Sequence, residues 1–397
     1  MNTVAMLKTE ANKTIDAKRD VLVGISDTLH ANPELAFQEI KSSALLCDAL
    51  EKNGFAVKRG VGSLATAFRA ERLGKGAGPT VAILAEYDAL PEVGHACGHN
   101  LMGAAAVGAA LGIRSVMDNL PGRVVIIGTP AEENGGGKVI LIKEGVFADV
   151  DAALIVHPSG RTLAVRSSLA SMRLDIEFRG RSVHAASAPD EGINALEAVI
   201  LTFNNINGIR LHLRSDARVH GIISSGGSAV NVIPDYAAAK FSIRAATQNY
   251  AEKVMQRAIA CAEAAGKATG AELTCNIEPG CAEMIPNSVL AMLFAENWRE
   301  LGVVVGEQRP TERIASTDMG NVSHIVPSLH PYISIGPESL PGHSVEFCKA
   351  AASPAGHAGM ILAAKGMAMT AIDLLSNGDL VKQAKLELEI KLRSLAE

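Results

Sequence analysis

The sequence predicts an α/β protein, in which a mostly parallel sheet flanked by helices is interrupted by an inserted ferredoxin-like α+β unit. Three observations carry this. Short apolar runs, partly β-branched, alternate with helical stretches in the first part of the chain, as in a sheet built from strand–helix–strand units. From Ser171 the pattern changes to strands that alternate apolar and polar residues. And 397 residues exceed one average core, so two domains are expected.

In chain order, Thr80-Val81-Ala82-Ile83-Leu84-Ala85, preceded by Gly78-Pro79, reads as a strand buried on both faces. A loop follows, then a helix over about Leu101–Met117, rich in Ala and Gly as close packing on a sheet requires. Gly122 to Thr129 is a second strand, and it runs into Pro130-Ala131-Glu132-Glu133-Asn134 before the Gly-rich start of another helix. Ala152-Ala153-Leu154-Ile155-Val156 is a third strand, ending in His157-Pro158. The inserted unit is read as strand Ser171–Phe178, helix from about Gly192 to Leu213, strands Val219–Ser224 and Ala237–Arg244, helix from about Tyr250 to Thr269, and strand Ala271–Glu278. That order is ferredoxin-like. The chain then rejoins the first sheet through a helix over about Ser288–Leu301, the polar loop Ser316–Gly320, a strand Tyr332–Gly336 and a late helix flanked by His357.

Composition excludes several classes. Net charge is −5 with no long basic run, so neither nucleic acid nor an anionic membrane is an expected partner. No uninterrupted apolar stretch has bilayer length, and Met1 to Glu10 lack the apolar core of a signal peptide, which makes the cytoplasm the expected compartment. Six scattered cysteines do not form a disulfide framework, and Cys47, Cys261 and Cys348 read as buried thiols. Gly135-Gly136-Gly137-Lys138 lacks the spacing of a phosphate-binding loop.

The chemistry gathers at strand ends. Cys97 and His99, two residues apart after the first strand, are both good ligands for zinc-like metals, although the pair alone reads equally as a buried thiol and a helix-start side chain. Glu132 and Glu133 follow the second strand, and His157 the third. Open α/β sheets bind ligands at the carboxyl ends of their strands, so one sheet edge would gather all three groups. His184, in Gly180-Arg181-Ser182-Val183-His184, marks a strand-to-helix junction, and Arg244 on a strand suits either a substrate carboxylate or an ion pair within its own domain.

The order Asp-Ala-Leu-Pro (88–91), His-Ala-Cys-Gly-His (95–99), Pro-Ala-Glu-Glu (130–133), His157 and Gly-His-Ser (342–344) resembles the metallopeptidase family of aminoacylases, hippurate hydrolases and auxin-conjugate amidohydrolases. The match spans essentially the whole chain. Glu86-Tyr87-Asp88-Ala89-Leu90-Pro91 and Gly98-His99-Asn100 are most similar to the branch of β-alanyl-lysine-type dipeptidases and aminobenzoyl-glutamate hydrolases. The resemblance implies a di-metal catalytic domain over 1–167 and 282–397, with a lid or dimerisation domain over 168–281. It implies two divalent ions, zinc or manganese with cobalt possible, held by Cys97, His99, Glu133, His157 and His343, with Cys97 as bridge. His343, in a His-Ser loop, is favoured over His357, while His324 and His330 read as structural. Glu132 matches the carboxylate that moves a proton between an activated water and the leaving nitrogen. Asp88 matches a group that orients a ligating imidazole. Asn100 stands where the hippurate-hydrolase branch has Asp, which leaves metal preference open. His184 matches a residue that stabilises the oxyanion across a homodimer. Asn231, Arg244 and Asp318 match positions around the substrate. The implied reaction is hydrolysis of an amide bond in an N-acyl amino acid or dipeptide. The rival reading is a binding or regulatory protein that kept the fold and lost turnover, to which Glu132 would be of no use. A Cys97-nucleophile hydrolase is a third reading, and it requires activity that survives chelation.

Overall fold

The computed structural model describes residues 3–312 and 314–396. In chain order its strands are β1 (Ala56–Val61), β2 (Leu64–Leu73), β3 (Thr80–Ala85), β4 (Arg123–Gly128), β5 (Ala152–Leu154), β6 (His157–Ser159), β7 (Ala170–Arg179), β8 (Arg218–Ser225), β9 (Tyr236–Ala245), β10 (Glu272–Cys281), β11 (Ser328–Leu329) and β12 (Tyr332–Ser334). The chain divides into two compact units. One comprises Met1–Ser167, Met284–Ile314 and Asp318–Glu397; the other comprises Ser168–Glu283 and Ala315–Thr317.

The first unit is built on a six-stranded sheet of order β1-β2-β4-β3-β5-β11. Pairs β4–β3, β3–β5 and β5–β11 are parallel, whereas β1–β2 and β2–β4 are antiparallel. Every residue of β3 is buried, which is why its sequence is a continuous apolar run rather than an alternating one. The crossover from β3 to β4 is the helix His99–Arg114, buried from His99 to Ile113. A helix apolar all round needs cover on all sides, and its small residues provide for it. A methyl at Gly108 would lie 2.9 Å from both Ala364 and Leu22, and one at Gly112 would lie 2.8 Å from Ile15, so the neighbouring helices approach its backbone.

The same device sets the approach of Pro354–Ser376 to Ser288–Glu300. A Cβ at Gly366 would stand 2.5 Å from Trp298 Nε1 and 2.8 Å from Phe294, both rings fully buried. Trp298 Nε1 already donates to Leu362 O at 3.1 Å, so the ring cannot swing aside without losing that bond. Gly366→Val is therefore expected to destabilise by about 1–3 kcal/mol through overpacking, seen as a lower urea midpoint at unchanged slope. Pro354–Ser376 is long and apolar enough to cross a bilayer by length and composition, but most of it is buried inside this unit.

Two local expectations change. The helix after β3 begins at His99 itself and ends at Arg114, not at Met117. The strand expected over Ala152–Val156 stops at Leu154, and His157 opens β6, which pairs in parallel with β12 in a separate two-stranded sheet. The chain leaves the large sheet because β11, its outer neighbour there, pairs with β5 through only Ser328 and Leu329.

The second unit is ferredoxin-like, as expected. Its sheet has order β10-β7-β9-β8 with every pair antiparallel. The helices Ala195–Arg210 and Gln248–Thr269 bury Leu174, Ile176, Phe178, Phe241 and Ile243 in a core of its own. Thr247 caps the second helix by accepting from Tyr250 N, and Gly270 ends it with φ +78°.

Candidate metal centre

The carboxyl ends of β3 and β4 and the start of β6 converge in the first unit. After β3 the chain carries Glu86 and Asp88, both buried, and then the Cys97-Gly98-His99 turn. Gly98 has φ +81°, and a Cβ there would meet Pro158 at 2.4 Å, so only glycine brings Cys97 and His99 round this corner.

The loop after β4 is held from two sides. Ala131, at φ +59°, donates its N–H to Glu39 Oε1 at 2.9 Å, and Glu39 Oε2 accepts from Thr66 Oγ1. Glu133 N–H donates to Asp88 Oδ2 at 3.0 Å. His343, also in the left-handed region at φ +57°, donates its N–H to Ala96 O at 3.0 Å, which ties its loop to the cysteine turn. Such strained non-glycine positions persist where their surroundings over-determine them.

Two groups of donor atoms share one sulfur, and a third group, His99, Glu132 and Glu133, overlaps both. Cys97, His99 and His157 each present a ligand atom within 4.8 Å of the others, and so do Cys97, Glu133 and His343. His157 Nδ1 lies 2.6 Å from Pro158 O and Nε2 lies 3.2 Å from Cys97 Sγ, so an Nδ1–H donated to the carbonyl turns the Nε2 lone pair toward the sulfur. His99 Nδ1 is 3.0 Å from Asp88 Oδ1 and 3.0 Å from Asp88 O. Its Nε2 is buried without a hydrogen-bond partner among the described residues, 3.3 Å from Glu86 Oε2, which is likewise unpartnered. Glu133 Oε1 is a third such atom, 3.5 Å from His343 Nε2. Buried polar atoms left unpaired are costly, and a thiolate, imidazoles and a carboxylate around them are the donors zinc, manganese or cobalt accept. The residues fit a pair of divalent ions.

Electrostatics show which protons a bound cation must displace: burial alone would lower the His99 pKa, but the charges of Asp88 and Cys97 raise it well above its ordinary value. Burial, then the neighbouring His330 and His99, lower the His157 pKa to about 3, so its imidazole is neutral at physiological pH. Burial and the charge of Glu133 raise the Cys97 thiol well above its ordinary value, and a coordinated cation is what would take its proton off. Burial, then the carboxylates Glu86, Asp318 and Glu133, raise Glu132 well above the usual carboxylate range. Asp88→Asn is expected to weaken metal retention about 10–100-fold, because the imidazole of His99 loses its charged partner. Competition against a metallochromic chelator measures it.

The structure places Asp318 beside Lys138. Its carboxylate is fully buried and engaged by Lys138, with Oδ1 2.6 Å from Nζ and Oδ2 accepting from the backbone N–H at 3.0 Å, and it lies in one group with Glu86 and Glu132. Asn100 donates to Ser26 Oγ and Ala351 O, a helix-packing role away from the ligands. His357 Nε2 lies 2.9 Å from Asp27, which takes it out of contention as a ligand. Cys348 is only partly buried, with Sγ 3.3 Å from His30 Nε2. His184, Asn231 and Arg244 belong to the second unit. There His184 bridges to Val232, Ala185 N–H donates to Asn231 O at 2.9 Å, and Arg244 stands on β9 opposite Ser171 and Arg218.

Lys138 and Glu86 are given no role by the sequence reading, and His330 reads there as structural. Lys138 Nζ, fully buried, lies 2.6 Å from Glu86 Oε1 as well as from Asp318. Burial alone would raise the Glu86 pKa, but the Lys138 ammonium and His99 bring it down to about 2. His330 is buried, with its ring centroid 5.6 Å from that of His157. The one sequence signal for Lys138 is a lysine heading the apolar run Val139-Ile140-Leu141-Ile142.

Comparison with known proteins places this geometry in context. The description "Peptidase dimerisation domain" matches residues 166–270. The chain is 37% identical to the Xaa-Arg dipeptidase of Mus musculus, over 98% of this chain and 93% of that one. It is 31% identical to a p-aminobenzoyl-glutamate hydrolase component of Escherichia coli (strain K12), over 94% of this chain and 93% of that one. Among solved structures, an aminobenzoyl-glutamate utilization protein from Klebsiella pneumoniae superposes with a TM-score of 0.75 at 19% identity, covering 92% of this chain and 98% of its own. A dinuclear metal-binding peptidase of the M20 family from Bacillus subtilis gives a TM-score of 0.70 at 22% identity, covering 91% and 99%.

Proposed function

This chain belongs to the M20 family of metallopeptidases, and from that premise we propose that it is a dipeptidase acting on dipeptides with a basic C-terminal residue. It is a metal-dependent amidohydrolase. The narrower substrate reading is supported by likeness to the Xaa-Arg dipeptidase over nearly the full length of both chains. The observation that carries the chemistry is the pair of donor groups sharing Cys97, with Glu132 outside both of them but within 4.8 Å of ligand atoms of His99 and Glu133.

In this reading Cys97, His99 and His157 hold one divalent ion, and Cys97, Glu133 and His343 hold the other. Zinc, manganese and cobalt all suit these donors. When bound, the ions polarise the scissile carbonyl and lower the pKa of the attacking water toward about 7. Glu132 takes the proton from that water and hands it to the leaving nitrogen. Asp88 orients His99 through Nδ1 and holds the Glu133 backbone, so one carboxylate aligns ligands of both sets. We further propose that 168–281 is the lid and dimerisation domain of a homodimer, in which His184 reaches the partner subunit's oxyanion while Asn231 and Arg244 grip the substrate carboxylate. Support for this is the dimerisation-domain match. The remainder, 1–167 and 282–397, is the catalytic domain, and the six free thiols accord with a cytoplasmic enzyme.

The test is hydrolysis by metal-stripped protein, before and after adding zinc, manganese or cobalt. The panel holds dipeptides ending in Arg, Lys or Glu, N-acyl amino acids and p-aminobenzoyl-glutamate. Metal-restored cleavage favouring Arg or Lys ends is expected. Cleavage only of p-aminobenzoyl-glutamate or acyl substrates would overturn the dipeptide reading.

A further inference from the structure

Lysine is almost never fully buried unless paired, and the Lys138 side chain is completely buried. It heads the helix Gly137–Lys143, and its Nζ lies 2.6 Å from Glu86 Oε1, after β3, and 2.6 Å from Asp318 Oδ1, which precedes the helix Met319–Ser323. Its own N–H holds the second oxygen of Asp318. Glu86, Glu132 and Asp318 each offer a carboxylate oxygen within 4.8 Å of the others, a grouping that would suit a metal ion. An ammonium already binds two of the three. Glu86 connects this cluster to the metal centre, since its other oxygen lies 3.3 Å from His99 Nε2. None of the roles assigned to the metal pair uses this charge.

We propose that Lys138 is a positioning residue: its ammonium is a tethered cation occupying the place of a third metal ion, and by clamping Glu86 and Asp318 it holds the floor against which Glu132 is set. The proposal rests on the role given to Glu132 above. Without the ammonium, three carboxylates face one another in a buried space, and that space either takes up a cation or loses its shape.

The experiment uses the full-length holoenzyme and two variants, Lys138→Ala, which removes the charge and leaves room for an ion, and Lys138→Met/Asp318→Asn, which keeps the side-chain length and removes one buried negative charge with the positive one, so protecting the fold. Metal content by mass spectrometry after manganese saturation is read first and needs no substrate. Lys138→Ala is expected to hold one more ion per chain than wild type, and the double variant the wild-type number. Equal content in wild type and a folded Lys138→Ala overturns the tethered-cation assignment, whether or not a substrate has been found. Kinetics on the best substrate of the panel then separate positioning from folding. The double variant is expected to melt within a few degrees of wild type while kcat falls about tenfold or more at nearly unchanged KM. Recovery of kcat together with the melting temperature would make Lys138 purely structural and overturn the proposal.

Discussion

Replacing Glu132 by glutamine is expected to leave metal content at the wild-type level and lower kcat by about 10²–10⁴-fold, the usual worth of a positioned acid–base group. The amide keeps the shape of the side chain. The loop around it is held by bonds that glutamine does not touch, Ala131 N–H to Glu39 and Glu133 N–H to Asp88. Stability should not fall with activity. Burial and the negative neighbours Glu86, Asp318 and Glu133 raise the Glu132 pKa in the folded chain. A carboxylate whose folded pKa exceeds its unfolded one binds more protons when folded, so stability is lost as pH rises through that interval. At neutral pH an ionised Glu132 therefore opposes folding in the metal-free protein, and a neutral glutamine relieves it. A metal-free variant that melts no lower than wild type, yet turns over poorly once loaded, is the expected pair of results. Near-normal kcat in the loaded variant would remove Glu132 from proton transfer.

The second large effect concerns Cys97. Its sulfur is the one atom common to both donor sets, so Cys97→Ala is expected to weaken both sites. His157→Ala and His343→Ala should each empty one. Changing an outer partner of a ligand already costs about 10–100-fold in affinity, so loss of the shared ligand should exceed about 100-fold at each site and abolish turnover at ordinary metal concentrations. Metal content after gel filtration is the measurement, with circular dichroism to show that the fold survives. Two ions retained by Cys97→Ala would defeat the shared-ligand assignment. Activity that resists chelation would instead favour a cysteine nucleophile over a metal-held thiolate.

Much of this is legible in the chain because its signals are local. The buried run at β3 and the alternating β7 and β9 each state their environment through a period. His99 and Cys97 are close in sequence, and Glu132 and Glu133 share one loop, so their grouping needs no tertiary knowledge. Boundaries are less legible. His157 reads as the end of one strand and instead opens another, because strand length depends on how far the neighbours β3 and β11 run alongside, which no local pattern records. Asp318 reads as a substrate-side residue from its loop, yet it pairs with a lysine far away in sequence.

The α/β class, the inserted ferredoxin-like unit, and the residue types proposed to hold metal and move a proton are all written in the sequence, since these follow from periodicity and from donor chemistry at strand ends. Which donor atoms lie together, which carboxylate stands beside His99, and that Lys138 lies between Glu86 and Asp318 come from tertiary structure alone. Those pairings bring together the ends of β3 and β4, the start of β6 and the loops at Asp318 and His343, and distances between such segments are set by packing rather than by any neighbour along the chain.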